Sequence, residues 1–237
     1  MEVEMKAKIT DKQANDIIEG HMKKYCLSRG GGWEGLFKSD KFFSFNGERP
    51  YNPENIIRIR QEAVLPMEAS FEQIIHGVIW PLDPNKTTIK EYLTVKEKKT
   101  DEDGIETNKE TEGVLEGNAG IAFRQAMEIA NFKPYFSKYK TSVSFYVKRK
   151  KDDKEMHCEI VNTNHIGPFL EIEVIVPDSD YVRPWECQTI SEAQQLIKDF
   201  FKDVLGITKF DKRSWPEIIE QDGEKALYIE HVETETS

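Results

Sequence analysis

The chain is poor in the features that build metal-thiolate or disulfide frameworks. Its three cysteines, Cys26, Cys158 and Cys187, lie far apart and form no CxxC pair. That argues against a zinc site and a disulfide scaffold, and it favours a reducing compartment. No apolar run approaches the ~20 residues needed to cross a bilayer, and the opening MEVEMKAKI alternates charge where a secretory leader would carry an apolar core. A soluble, cytoplasmic protein with no membrane partner is expected. Solenoid-length repeats and extended low-complexity segments are also missing. The glycine-rich stretch Ser28–Gly32 lacks the GK[ST] ending of a phosphate-binding P-loop, so it reads as a plain loop. His21, His76, His157, His165 and His231 show neither metal-ligand spacing nor a nucleophile partner, and ordinary surface or core roles are expected for them.

What the chain has is charge of both signs. Hydrophobic residues make up 38% and charged residues 32%, enough apolar material for a core beneath a heavily charged remainder. At 237 residues one domain is the default. The net charge of −10 would repel a nucleic-acid backbone unless the basic residues were concentrated in one place.

Period-two alternation predicts a strand over residues 1–9, with further strands at 41–45, 55–64, 87–98, 105–114, 135–150, 155–161 and 169–176. Asp101 to Gly104 reads as a hairpin turn, and Lys148 to Lys151 with Lys154 as a solvated hairpin tip. Helices are expected in three places. Thr10 and Gln13 form a capping box before a helix to about Tyr25. Residues 118–130 show helical spacing of Ile121, Phe123, Met127 and Ile129. Thr189 and Glu192 cap a last helix with Ala193, Leu196, Ile197, Phe200 and Val204 as its stripe, ending at Gly206. Residues 65–85 remain open between strand and short helix.

Like charges recur two positions apart on these strands, so both members of each pair share one sheet face. The acidic pairs are Glu2/Glu4, Glu110/Glu112 and Glu171/Glu173. The basic pairs are Arg58/Arg60, Lys96/Lys98, Lys138/Lys140 and Lys148/Lys150. Two like charges ~7 Å apart repel by about 2 kcal/mol at an effective dielectric of ~20, so water can excuse any one pair on an outer surface. The opposite faces, however, carry Val3 and Met5, Ile57 and Ile59, or Ile172 and Val174. Helices packed outside a closed sheet would cover those apolar faces and turn the charges into the lumen. The expected fold is therefore α+β and predominantly antiparallel β, a closed tunnel of about eight strands with helices packed outside. Lumenal carboxylates hold metal and paired cations neutralise phosphate, which together suit phosphoryl transfer.

The motifs also occur in a familiar order: EVEMK at Glu2 to Lys6, RIR at Arg58 to Arg60, VKEK at Val95 to Lys98, NKETEG around Glu110 and Glu112, KYK at Lys138 to Lys140, and FLEIE at Phe169 to Glu173. In these the chain resembles the CYTH domain, or triphosphate tunnel metalloenzymes, which include class IV adenylate cyclases and thiamine triphosphatases. Lys212 to Trp215 is similar to a late basic element of cyclase-like members. The resemblance spans residues 1–215 as one tunnel domain, leaving 216–237 as an acidic C-terminal tail. It implies metal ligation by Glu2, Glu4, Glu110, Glu112, Glu171 and Glu173, with Mg²⁺ or Mn²⁺ as cofactor. It implies phosphate binding by Arg58, Arg60, Lys96, Lys98, Lys138, Lys140 and Arg213. Lys6, Glu4 and Glu173 would act at the reacting phosphate.

Two family aspartates look absent. The one before the final ExE is replaced near Val161, with Glu159 as the candidate metal ligand in its stead. The one before RIR is missing from KFFSFNG, which leaves Ser44 nearby. The leading expectation is hydrolysis of a small triphosphate: tripolyphosphate, thiamine triphosphate or a nucleoside triphosphate. Cyclisation of ATP, cleavage of an RNA 5′ triphosphate and a binding-only role stand behind it. No long nucleic acid is expected as a partner, and assembly as a homodimer stays open.

Overall fold

The computed structural model describes residues 1–22, 33–50, 54–66, 69–77, 88–148, 154–178 and 182–223. Eight antiparallel strands close into a barrel in the order β1-β5-β4-β3-β2-β6-β7-β8, with β8 returning to β1. The strands are β1 (Glu2–Lys8), β2 (Glu34–Phe45), β3 (Asn55–Val64), β4 (Ile89–Thr100), β5 (Glu106–Val114), β6 (Phe132–Lys148), β7 (Glu155–Thr163) and β8 (Pro168–Ile175). β1 pairs with β8 along its whole length but with β5 only from Glu2 to Glu4, which makes the β1/β5 seam the shorter one.

Helices lie outside the barrel. α1 (Asp11–Asp16) begins at the expected capping box of Thr10 and Gln13 and continues in wider π-helical turns over Ile17–Met22. α2 (Phe71–Ile75) occupies part of the stretch left open in the sequence, and Ser70 and Gln73 cap it reciprocally. α3 is Gly117–Ile129, and α4 is Ile190–Asp199, prolonged as Phe200–Val204. Gly206, at φ +64°, supplies the left-handed turn that ends α4. A fifth helix, α5, runs over 215–223, where only a polar tail was expected. Residues 224–237 and the hairpin tip at 149–153 lie outside the described residues.

Strand alternation sorts the two faces. Val3, Met5, Ala7, Val143, Phe145, Ile160, Leu170 and Ile172 point outward and bury against α1, α2 and α4, in a cluster that takes in Ala14, Ile74, Leu196, Ile197 and Phe201. The apolar core thus sits between sheet and helices, outside the barrel. α3 departs from its expected stripe: Gly120 and Met127 are buried, whereas Ile121 and Ile129 are 52% and 87% exposed. Its inward line follows residues 120, 123 and 127, and the 3.6-residue turn carries Ile121 and Ile129 off that line. No helix among the described residues is long and apolar enough to cross a membrane.

Ile172, fully buried between β8 and the helical layer, tests where the stabilising burial lies. Ile172→Ala is expected to cost about 2–5 kcal/mol in urea unfolding, through lost apolar contact and the cavity left behind.

Candidate functional site

The inward faces enclose a cavity of about 1270 Å³, large enough for a small triphosphate with its ions. β1 brings Glu2 and Glu4 to it, β3 Arg58 and Arg60, β4 Lys96 and Lys98, and β5 Glu110 and Glu112. Lys138 and Lys140 come from β6, Glu159 from β7, and Glu171 and Glu173 from β8. Register sets them in rows: Lys6 faces Glu171, which faces Glu159, while Glu4 faces Glu173, which faces His157. Lys6 is buried behind the cavity wall and donates to Glu106 at 3.2 Å.

Arg213 is not in the tunnel. Its guanidinium bonds to Asp211 and Asp222, so it fastens α5 to the segment before it. Its neighbour Trp215 does reach the cavity, donating Nε1–H to Glu171 Oε1 at 2.8 Å.

Several tunnel residues escaped the sequence reading. Asp40 on β2 lies opposite both Arg60 and Lys138. Arg60 grips it through Nε at 2.7 Å and a terminal nitrogen at 3.0 Å. An aspartate thus stands on the strand before RIR, four residues ahead of Ser44, whose hydroxyl donates to the Glu48 carbonyl in the turn. Lys38, one inward position further along, bonds to Glu159 at 2.5 Å. Glu159 also accepts from Lys140 at 2.8 Å, while Val161 joins Phe169 and Ile218 in a separate apolar cluster. Glu106, at the start of β5, receives both Lys6 and Lys98.

Most charges here are matched at close range. Burial opposes the charge on Asp40, but Arg60 and Arg58 hold its carboxyl well below the usual range. Burial likewise opposes Glu159, and Lys140 and Lys38 overcome it. Three of these charges are pushed toward their neutral forms: burial lowers Lys38 in spite of Glu159, and Glu4 and Lys138 are shifted further. Burial, reinforced by the carboxylates of Glu171, Glu106 and Glu2 against the pull of Lys96, pushes Glu4 up to about 8. Burial lowers Lys138 to about 7, with Lys140 and Arg60 adding to it while Asp40 and Glu171 resist.

Among the described residues, no three carboxylate, histidine or cysteine side chains converge closely enough to hold a metal ion by themselves. The donor set is nevertheless all oxygen at Glu2, Glu4 and Glu173, and the raised Glu4 marks a place where a cation would relieve carboxylate repulsion. This fits an ion shared with substrate phosphate, the habit of Mg²⁺, rather than a complete protein cage.

Two stability measurements follow. Asp40→Asn leaves Arg58, Arg60 and Lys138 without their common counter-charge and is expected to cost about 3–5 kcal/mol at neutral pH. Because the folded Asp40 pKa is depressed, its contribution is present above the unfolded value and fades in acid, so the gap from wild type should narrow as pH falls. Glu4 has the opposite sign. Between pH 4.5 and about 8 the folded chain binds a proton there that the unfolded chain does not, so stability falls as pH rises across that window. In chelator-treated protein, Glu4→Gln should exceed wild-type stability by about 1–3 kcal/mol at pH 8, and the advantage should vanish toward pH 4.5.

No protein-family model matches the chain, and no curated protein matches it. Solved structures do. The PH1819 protein from Pyrococcus horikoshii is 19% identical at a TM-score of 0.63, over 93% of this chain and 99% of that one. A candidate adenylyl cyclase from Hippeastrum with a dominant triphosphatase activity is 14% identical at 0.54, over 93% and 96%. A candidate adenylate cyclase from Vibrio parahaemolyticus is 13% identical at 0.56, over 92% and 97%. The chain shares its fold with these solved structures.

Proposed function

We propose that the chain is a Mg²⁺- or Mn²⁺-dependent triphosphatase acting on a small linear triphosphate: tripolyphosphate, thiamine triphosphate or a nucleoside triphosphate. The observation that carries this reading is the pair of incompletely matched charges facing one cavity. Glu4 has Lys96 at 4.0 Å against three neighbouring carboxylates, and Lys138 has Asp40 at 3.8 Å, which Arg60 already grips. Glu4 would gain a counter-charge from a divalent ion and Lys138 one from a polyphosphate, each favouring the ionised form of the side chain.

In this reading Arg58, Arg60, Lys138 and Lys140 bind the phosphate oxygens, and Lys38 supports them from β2. Arg60 already holds its guanidinium plane against Asp40, so its direction is set before substrate arrives. Glu2, Glu4 and Glu173 would hold the ion, which supplies charge neutralisation at the phosphate oxygens. Water attacks the terminal phosphorus in line, and positioning with electrostatic complementarity supplies most of the rate. The triphosphatase activity of the Hippeastrum protein of like fold supports hydrolysis.

A second reading, cyclisation of ATP to cyclic AMP and pyrophosphate, is favoured by Trp215, whose ring, like that of Phe42, lies within cation–π reach of Lys138. An aromatic wall beside phosphate-binding cations suits a nucleotide base. A binding-only role is the weaker reading, because Asp40 supplies an acidic group on the strand before RIR and Glu159, the candidate substitute, lies in the tunnel.

Incubation with ATP, tripolyphosphate and thiamine triphosphate, each with Mg²⁺ or Mn²⁺, separates these outcomes. Orthophosphate release that stops with chelator is expected, and Glu4→Ala or Glu173→Ala should lower kcat at least ~100-fold while the fold persists. Undiminished turnover in both variants would remove the metal assignment. Cyclic AMP with pyrophosphate would favour the second reading.

A further inference from the structure

His157 was expected to have no special role, yet it lines the tunnel. It sits on β7 directly opposite Glu173, which lies opposite Glu4 on β1, so the three occupy one row across adjacent strands. Its Nδ1 is 3.5 Å from Glu173 Oε2, and its Nε2 is 2.8 Å from Ser144 Oγ. The ring lies against Tyr146 at a centroid distance of 4.9 Å and a tilt of 36°. Glu159 Oε1 stands further off, 3.9 Å from Nε2.

The chemistry of these partners selects a tautomer. An ionised Glu173 can only accept, so the contact at Nδ1 is favourable when that nitrogen carries hydrogen. Nε2 is then the acceptor, and the Ser144 hydroxyl, free to rotate, donates to it. Ser144 hydrogen-bonds His157, and His157 Nδ1 stands in a longer 3.5 Å electrostatic contact with Glu173, so the three side chains follow one another from β6 through β7 to β8. The series ends on a carboxylate oxygen that would otherwise swing within a wide tunnel.

We propose that His157 is a positioning residue for Glu173: its Nδ1–H fixes the direction of that carboxylate, with Ser144 holding the imidazole in place, so that divalent-ion binding depends on it. This rests on the metal-assisted reading of the tunnel. Partners that orient a metal-binding group commonly change metal affinity 10–100-fold when removed.

The test reads Mn²⁺ binding by electron paramagnetic resonance in protein holding a non-hydrolysable imidotriphosphate, the phosphate partner with which the ion is shared in this reading, alongside kcat and KM for the triphosphate that is turned over. His157→Ala loses the whole contact. His157→Phe keeps a ring against Tyr146 without a donor, and His157→Asn places an amide N–H near the Nδ1 position. Ala and Phe are each expected to weaken Mn²⁺ binding about 10–100-fold, with Asn restoring most of it and KM moving less than Mn²⁺ affinity. Wild-type affinity in the Phe variant, or an Asn variant no better than Ala, would overturn the proposal, since stacking alone would then explain the residue. Normal Mn²⁺ binding in wild type and in all three variants overturns it while leaving the metal reading intact. A wild-type protein that binds no Mn²⁺ overturns both.

Discussion

The structure depends on one constraint: charges of both signs are enclosed inside a barrel and must neutralise one another there. A buried ion stripped of water costs several kcal/mol unless partners replace the lost hydration. The barrel meets this by interleaving signs along its register. Asp40 stands between Arg60 and Lys138, and Glu159 between Lys38 and Lys140. Such matching leaves no room for an apolar lumen, so the hydrophobic core is displaced to the outside, where β1, β6, β7 and β8 meet the helices. The charged interior and the external core are two consequences of the same strand alternation.

Compensation on the acidic side is incomplete at Glu4, on which the proposed chemistry turns. Glu106 has Lys6 and Lys98, whereas Glu4 has Lys96 at 4.0 Å and three neighbouring carboxylates. Lys138 mirrors this on the basic side, with Asp40 at 3.8 Å already engaged by Arg60. A barrel optimised only for stability would be expected to close both gaps. Here both groups line one cavity, which is why the proposed reading places a cation and a polyanion there together.

Much of this was legible because a strand writes its inward face at every second residue. ExE, RxR and KxK announced β1, β3, β4, β5, β6 and β8, and the intervening valines and isoleucines announced the outer layer. Asp40 and Lys38 were hidden because the strand was expected to begin at Lys41, while β2 starts at Glu34. The pair there is also of mixed sign, so a search for like charges passes over it. Glu106 shares its face with Glu110 and Glu112 but is cut off from that pair by Asn108, so the two-residue spacing passes over it, and it became meaningful only once β1 delivered Lys6 beside it. His157 carries no motif at all: its role comes from Ser144 on β6 and Glu173 on β8, a relation between strands that spacing along one strand cannot express. Arg213 shows the converse error. A basic residue at the expected place in the order was drawn to Asp211 and Asp222 instead, because a carboxylate pair close in sequence offers bidentate geometry without entering the tunnel.

The C-terminal segment shows where the charged lumen ends. On the inward face of β7 the sequence runs His157, Glu159, Val161, and on β8 it runs Phe169, Glu171, Glu173, so on both strands charge gives way to apolar groups at the same level. Ile218 of α5 packs against Val161, Ile166 and Phe169, and Asp222 of the same helix reaches Lys8. Trp215 bridges the two regimes, with its ring on Phe169 and its N–H on Glu171. A polar tail could not have sealed that level, since Val161 and Phe169 offer no hydrogen-bond partners. A helix with an apolar face does so, and it can present its aromatic first residue to the charged side while its later turns remain in the apolar cluster.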